Sequence, residues 1–198
     1  MKIYIEGGGD SKDLHTECRR GFRKLLESCG FKGKMPRLVA CGSRDSAFRS
    51  FKTALKANSH ERYAMLIDSE DPVEDIYKTW EFLCSRDEWE KPELATDEQV
   101  FLMVTCMETW IIADRETLKS HYGDNLNEAT LPSLNNIEKK DRHFIQQALE
   151  MATKYCSNSY KKGKRSFVIL GKLSPEALRK NLTSFNRMEE ILKERLNV

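Results

Sequence analysis

The chain has 198 residues, and its 33 Lys and Arg nearly balance its 31 Asp and Glu, for a formal net charge of +2. This length can bury one substantial core. The near-neutral charge excludes a protein that binds polyanions over its whole surface, so nucleic-acid affinity would have to come from a local patch. The six cysteines include no Cys-x-x-Cys pair, which indicates free thiols in a reducing compartment. No signal-peptide pattern or membrane-length apolar run is visible, so a cytoplasmic protein is expected.

The first part of the chain alternates short apolar runs with helical periodicity. Strands are predicted at 2–6, 37–41 and 63–67, each followed by a helix. The second helix is expected to start after Ser43 and to direct Arg44 outward, and the third to start at Asp71-Pro72. Strand–helix units in succession predict a mainly parallel sheet flanked by helices, that is, an α/β fold.

The rest of the chain is predicted to be mainly helical after one more strand. That strand covers 100–105, and helices are predicted at 107–119, 137–155 and from Ser174 onward. The segment 166–170 is the one candidate for a fifth strand. We therefore predict a core over residues 1–120 and a helical extension over 121–198, packed together as a single globular unit.

Acidic residues stand at the ends of two predicted strands. Glu6 ends the first, and Asp68 and Glu70 follow the third. The carboxyl ends of parallel strands meet at one edge of a sheet, and residues two apart on an extended chain point to the same side. Clustered carboxylates suit Mg2+ or Mn2+. The alternative is that Asp68 merely ends a strand. Asp10 and Asp71 are interpreted as turn or capping residues.

These acidic segments resemble the motifs of the Toprim superfamily. Glu6-Gly7-Gly8-Gly9-Asp10 is similar to its Glu-Gly-x-x-Asp motif, and Asp68-Ser69-Glu70 is similar to its Asp-x-Asp motif, with Glu70 in place of the second aspartate. The resemblance implies a Toprim-like, Rossmann-like fold. It also implies that Glu6 acts as general acid or base and that Asp68 and Glu70 hold Mg2+. A further glutamate after a later strand binds a second metal in nuclease-type members, and Glu108 resembles it.

Over nearly its whole length the chain also resembles a small bacterial Toprim-like family of unassigned function. The segments that carry this resemblance are 5–14, 64–71, 104–115 and 166–192. Members of that family are often encoded near ATP-binding proteins in phage-defence or mobile loci. The resemblance therefore implies an ATPase as a partner protein.

Asp114 and the basic segment 155–165 complete the candidate residues. Asp114 projects roughly 240° around a helix from Glu108, so it is expected to form structural pairs with Arg115. The basic segment suits contacts with phosphates and bases, although a solvated loop is the alternative. The expected phosphate-binding residues are Arg44, Lys161, Lys162, Lys164 and Arg165. Lys161, Lys164 or Arg165 is expected to steady the scissile or leaving phosphate.

Together these features predict a metal-dependent phosphodiesterase, specifically a nuclease of the Toprim type that acts on DNA or RNA. It is expected to serve as the effector of an ATPase-containing phage-defence system, with no membrane association. The alternative is a non-catalytic Toprim-like subunit that binds an ATPase partner or a nucleotide. Binding of Mn2+ distinguishes the two hypotheses.

Overall fold

The computed structural model describes residues 1–57 and 61–198 and contains a four-stranded parallel sheet. Its strands lie in the order β2-β1-β3-β4, and all of the pairings are parallel. The strands are β1 Lys2–Gly8, β2 Arg37–Gly42, β3 Tyr63–Asp68 and β4 Val100–Met103. The predicted α/β class is thus confirmed, and the architecture is Rossmann-like.

Nine α-helices surround this sheet in the part of the chain that the structure describes. They are α1 Lys12–Leu26, α2 Arg44–Ala57, α3 Thr79–Asp87, α4 Met107–Ala113, α5 Arg115–Tyr122, α6 Arg142–Thr153, α7 Lys164–Leu170, α8 Pro175–Asn181 and α9 Thr183–Leu196. Within residues 1–57 and 61–198, none of these helices has the length and apolar character needed to cross a membrane.

Both faces of the sheet are buried, because alternate strand residues enter two different cores. Ile3 and Ile5 pack with α1 and with the helices from α4 onward, in a cluster that includes Trp110. Tyr4 and Met65 face the other way and pack with α2 and α3. The helices of the second half of the chain therefore share one core with β1 and α1.

The segment 166–170 is helical, so the prediction of a fifth strand there is wrong. The hydroxyl of Ser166 accepts a hydrogen bond from the Gly163 amide and donates one to the Gly163 carbonyl, which fixes the first turn of α7. The helix then packs closely against α1, where Gly21 leaves no room for a Cβ beside the Phe167 carbonyl. A run of four apolar residues, such as 167–170, does not by itself distinguish a strand from a buried helix.

The helix predicted at Asp71 begins only at Thr79. The carboxylate of Asp71 pairs with Arg86 at 2.6 Å and caps no helix, while Tyr77 is 64% exposed and leaves the expected apolar stripe. Two other predicted helices are each divided. The first is interrupted at Asp114, between α4 and α5, and the second at Leu182, between α8 and α9.

Candidate active site

A cleft of about 470 Å³ opens at the edge of the sheet where the parallel strands end. Its walls come from the end of β1, the start of α1, the end of β3, the start of α4 and the start of α7. The lining residues that bear on chemistry are Glu6, Gly7–Gly9, Asp68, Lys162 and Ser166. Ligands of open parallel sheets bind at this edge, and the cleft therefore lies where a substrate is expected.

Two glycines let the loop after β1 run close to its neighbours. At Gly8 a Cβ would lie 2.6 Å from the His15 ring and 3.0 Å from the His15 backbone. At Gly42 it would lie 2.5 Å from the Gly9 carbonyl oxygen. Both glycines have a positive φ, a backbone conformation that residues with a Cβ rarely adopt. The His15 ring contacts the Gly9 carbonyl at 2.6 Å, so the loop is held from both sides.

Glu6 and Asp68 are each fixed by one backbone amide. Glu6 Oε2 accepts from the amide of Asp68 at 2.9 Å, and Asp68 Oδ1 accepts from the amide of Met107 at 2.9 Å. These bonds orient both carboxylates toward the cleft. In the described residues, the second oxygen of each carboxylate makes no hydrogen bond to protein, so it is available to a ligand.

Burial makes the charge on these two carboxylates unfavourable. Burial raises the pKa of Glu6, and the Asp68 amide and Arg44 only partly oppose this effect. Burial likewise raises the pKa of Asp68 well above its usual range, and the nearby carboxylates of Glu6 and Glu108 raise it further. A cation in the cleft would relieve this repulsion.

Glu108 lies in the first turn of α4 and is fully buried. Its Oε1 accepts a hydrogen bond from the Tyr160 hydroxyl at 2.5 Å, and its Oε2 lies 3.5 Å from the Gln146 amide nitrogen. Burial raises the pKa of Tyr160, and the Glu108 carboxylate raises it further, so the phenol stays a donor. Glu108 is therefore anchored to α6 and to the segment before α7, and it lies near enough to Asp68 to raise the pKa of that carboxyl group.

Lys162 is the lysine of the basic segment that reaches the acidic residues. It lines the cleft, and although burial lowers its pKa, Glu108, Asp68 and Glu6 together raise it. All four basic residues of this segment are exposed, but Lys161, Lys164 and Arg165 do not line the cleft, and Arg165 donates to the Ser159 carbonyl at 2.8 Å. The structure thus brings one of these four predicted phosphate-binding residues to the cleft.

Glu70 does not continue the extended course of β3. Its φ of 66° turns the backbone, and its amide donates to the Thr105 carbonyl at 2.7 Å. The carboxylate is held between Arg86 and Arg142. Burial raises the pKa of Glu70, but Arg142 and Arg86 outweigh burial and lower it overall. The structure therefore gathers Glu6, Asp68 and Glu108, and it pairs Glu70 with two arginines instead.

Arg44 is buried, so the expectation that it faces outward is wrong. Its Nε donates to the Asp68 carbonyl at 2.9 Å, it pairs with Asp87 at 2.5 Å, and its guanidinium lies over the Trp89 ring. The Asp68 carbonyl and the Asp87 carboxylate attract the side chain inward. Arg44 supports the end of β3 from within the protein.

The remaining acidic candidates have other surroundings. Asp10 is exposed at the mouth of the cleft, and exposed Asp71 pairs with Arg86. Asp114 is buried and caps α5, accepting from the amides of Thr117 and Ser174 at 3.0 and 2.7 Å. The structural role expected for Asp114 therefore rests on backbone amides, whereas Arg115 donates to the Pro132 carbonyl.

Sequence reasoning did not single out three residues that shape the site. Arg86, Arg142 and Gln146 contact Glu70 or Glu108 across sequence separations of 16, 72 and 38 residues. Each lies in or beside a helix with no local motif. Only the three-dimensional packing of α3 and α6 against the sheet edge brings them together.

The carboxylates fit a magnesium ion in their chemistry. Among residues 1–57 and 61–198, no three His, Cys, Asp or Glu side chains already stand close enough to enclose a metal ion. Magnesium, however, commonly binds through one or two carboxylates and keeps several waters. Glu6 and Asp68 supply two such groups, each with an oxygen free of hydrogen bonds to the described residues. Burial raises the pKa of both carboxyl groups, so a bound cation would stabilise their charged forms.

Comparison with protein-family models returned one match, described as a domain of unknown function (DUF4276), over residues 5–193. The chain belongs to this family. No curated protein and no solved structure matched the chain. Because the DUF4276 match extends from Ile5 in β1 to Lys193 in α9, it includes every residue of the site described above.

Proposed function

We propose that this DUF4276 protein is a metal-dependent phosphodiesterase of the Toprim type that acts as a nuclease. The observation that supports the proposal is the convergence of Glu6, Asp68 and Glu108 at the carboxyl edge of a parallel sheet. Because the carboxylates are buried and repel one another, bringing them together opposes folding, so the needs of the fold do not explain their placement. Such groupings of titratable residues in a cleft are typical of functional sites.

In this proposal each residue has a distinct task. A bound Mg2+ or Mn2+ supplies positive charge for the phosphate and increases the acidity of a water molecule. Asp68 would hold the cation through the carboxylate oxygen that the Met107 amide leaves free. Glu6 accepts the proton of the attacking water, and Lys162 faces the negative charge of the phosphate. Water forms the new bond to phosphorus while the bond to the leaving oxygen breaks.

The test compares Asp68→Asn with Asp71→Asn, the same chemical change three residues away on an exposed side chain. We expect wild type and Asp71→Asn to cleave labelled DNA or RNA and bis(p-nitrophenyl) phosphate in the presence of Mn2+. Asp68→Asn should reduce the rate by about 100-fold or more, as losses of acid–base and metal groups typically do. Equal cleavage by Asp68→Asn and wild type would contradict the assignment.

A binding readout separates inactivity from a wrong site. Calorimetric titration of Mn2+ should show binding to wild type and to Asp71→Asn, and greatly weakened binding to Asp68→Asn. If the nuclease needs an ATPase partner for activity, the isolated protein should still bind Mn2+ in this way, although it would cleave the substrates slowly. Undetectable Mn2+ binding to the wild type would contradict the proposed function.

One observation favours the second candidate, a non-catalytic subunit that binds a nucleotide or an ATPase partner. Lys162 already faces the three carboxylates, and Arg86 and Arg142 already neutralise Glu70. Because these positively charged side chains of the protein already offset the carboxylates, they reduce the need for a metal ion. This candidate predicts nucleotide binding that is unchanged by EDTA, which the same calorimeter measures.

A further inference from the structure

A second groove, of about 550 Å³, lies on the side of the protein along α1 and the start of β2. Four of its lining residues are arginines: Arg19, Arg20 and Arg23 from α1, and Arg37 from β2. The apolar side chains of Met35 and Leu38 are half-buried between them. The groove therefore combines a row of guanidinium groups with an apolar floor.

Three of these arginines, Arg19, Arg20 and Arg23, lie on the face of α1 that does not pack against the core. The opposite face is buried through Cys18, Phe22 and Leu25. Positions 16, 19, 20 and 23 follow the three- and four-residue spacing that places side chains in one stripe. Because the core requires nothing from this stripe, its arginines must be explained by solvation or by a ligand.

Contacts within the chain neutralise only part of the charge in the groove. Arg20 pairs with Glu17 at 2.6 Å and Arg23 with Glu27 at 3.1 Å. Arg19 donates to the Thr16 hydroxyl, and no carboxylate in the described chain lies within ion-pair distance of Arg19 or Arg37. Two full positive charges remain for a partner, on a protein whose net charge is only +2.

We infer that this arginine groove binds the phosphate backbone of single-stranded nucleic acid. The inference rests on the proposed function for its substrate class. The groove runs from Thr16 along α1 to the start of β2, on the side of that helix opposite to Leu14, which lines the cleft. Guanidinium groups bind phosphates in a forked geometry, and apolar side chains accept the faces of unstacked bases.

The test measures binding of labelled single-stranded DNA and RNA in EDTA, where no metal-dependent cleavage occurs. The groove variant is Arg19→Gln/Arg23→Gln/Arg37→Gln. Its control, Lys52→Gln/Lys56→Gln/Lys91→Gln, removes the same charge from another groove, where Glu90 and Glu93 stand beside the lysines. The groove variant should bind at least about 10-fold more weakly, and its plot of log affinity against log salt should flatten by about 2. The control should lose much less.

The outcomes separate this inference from the proposed function. The groove variant should hydrolyse bis(p-nitrophenyl) phosphate at the wild-type rate, because that diester needs only the cleft, while Asp68→Asn should not. Equal oligonucleotide binding by the groove variant and the wild type would overturn the inference whatever the hydrolysis rate. Poly-glutamate that competes as well as the oligonucleotide would overturn it in favour of an acidic protein partner. If the wild type binds the oligonucleotide without hydrolysing the diester, and the groove variant loses that binding, the result would support the groove and contradict only the proposed enzyme activity.

Discussion

Asp68 has the most unfavourable electrostatic position of the acidic residues at the cleft. Its carboxylate is buried, lies near Glu6 and Glu108, and is only partly relieved by Lys162 and the Met107 amide. In the unfolded chain the same group ionises near its ordinary pKa of 3.8. Raising this pKa on folding means that folding is favoured while Asp68 is protonated and opposed when it is ionised.

We therefore predict that Asp68→Asn stabilises the metal-free protein at neutral pH. Below pH 3.8 both states carry a protonated Asp68, so wild type and variant should unfold at similar free energies. As the pH rises toward the raised pKa of the folded state, the wild type loses stability and the neutral amide does not. Urea unfolding across this pH range measures the difference.

Asp71→Asn serves as the control for that experiment, because its side chain is 59% exposed and pairs with Arg86. An exposed pair contributes about 1 kcal/mol or less, so this variant should follow the wild type at every pH. A difference between wild type and Asp68→Asn that stayed constant with pH would contradict the proposed electrostatic penalty. Saturating Mn2+ should then stabilise the wild type, by about 2.7 kcal/mol at 100 times the dissociation constant.

At the scale of elements, the contact between α1 and α7 depends on a missing side chain. A Cβ on Gly21 would lie 2.5 Å from the carbonyl oxygen of Phe167, a distance that real Cβ atoms do not show. Since that oxygen belongs to the backbone of α7, the helices must separate to accept it. The loss of close packing should outweigh the better helix propensity of alanine, which is about 1 kcal/mol.

Gly21→Ala is thus expected to destabilise the protein by about 1–3 kcal/mol, the usual range for overpacking in a core. The matched control is Gly171→Ala, whose φ of −73° suits alanine. Its Cβ would lie 3.2 Å from the Cβ and Cδ of Lys24 and 3.3 Å from the Gly21 carbonyl oxygen, distances that a much smaller shift can accommodate. Thermal melts of both variants measure the difference. Equal melting temperatures would show that α7 can shift away from α1 without loss.

The same elements show what sequence patterns can and cannot predict. The four strands were predictable because short, nearly continuous apolar runs that alternate with helical periodicity indicate buried parallel strands. The helix at 166–170 was not predictable, because the four apolar residues 167–170 fit either a strand or a helix and the deciding contact with Gly21 lies about 150 positions away. Glu6 and Asp68 were placed at one edge by topology alone. Glu70 was misplaced because its positive φ and its two arginine partners leave no local pattern.

At the scale of the molecule, both halves of the chain build one core. Trp110 of α4 meets Phe185 of α9 edge to face, with ring centroids 5.2 Å apart, and Leu192 is buried in the same cluster as Ile3 of β1. Arg187 reaches from α9 to β4, donating to the Val100 carbonyl at 2.9 Å. The last helix thus covers the outer strand of the sheet.

Removal of residues 183–198 should therefore prevent cooperative folding of what remains. Each large apolar side chain lost from a core costs about 3–5 kcal/mol, and a domain is stable by only about 5–15 kcal/mol in total. Removal of residues 197–198 alone takes away exposed residues and should leave the melt nearly unchanged. Near-ultraviolet circular dichroism with heating measures both. A sharp transition in the shorter protein would contradict the shared core.

The two amide contacts of Glu6 and Asp68 have a practical consequence for mutagenesis. Each carboxylate ties its own strand to the next element in space, Glu6 to β3 and Asp68 to the start of α4. Alanine at either position would leave a backbone donor without its acceptor and would loosen the sheet edge as it removed the charge. Glutamine and asparagine keep a carbonyl oxygen at the same reach. In this protein, a loss of activity in an alanine variant says little about chemistry, whereas an amide variant isolates the charge.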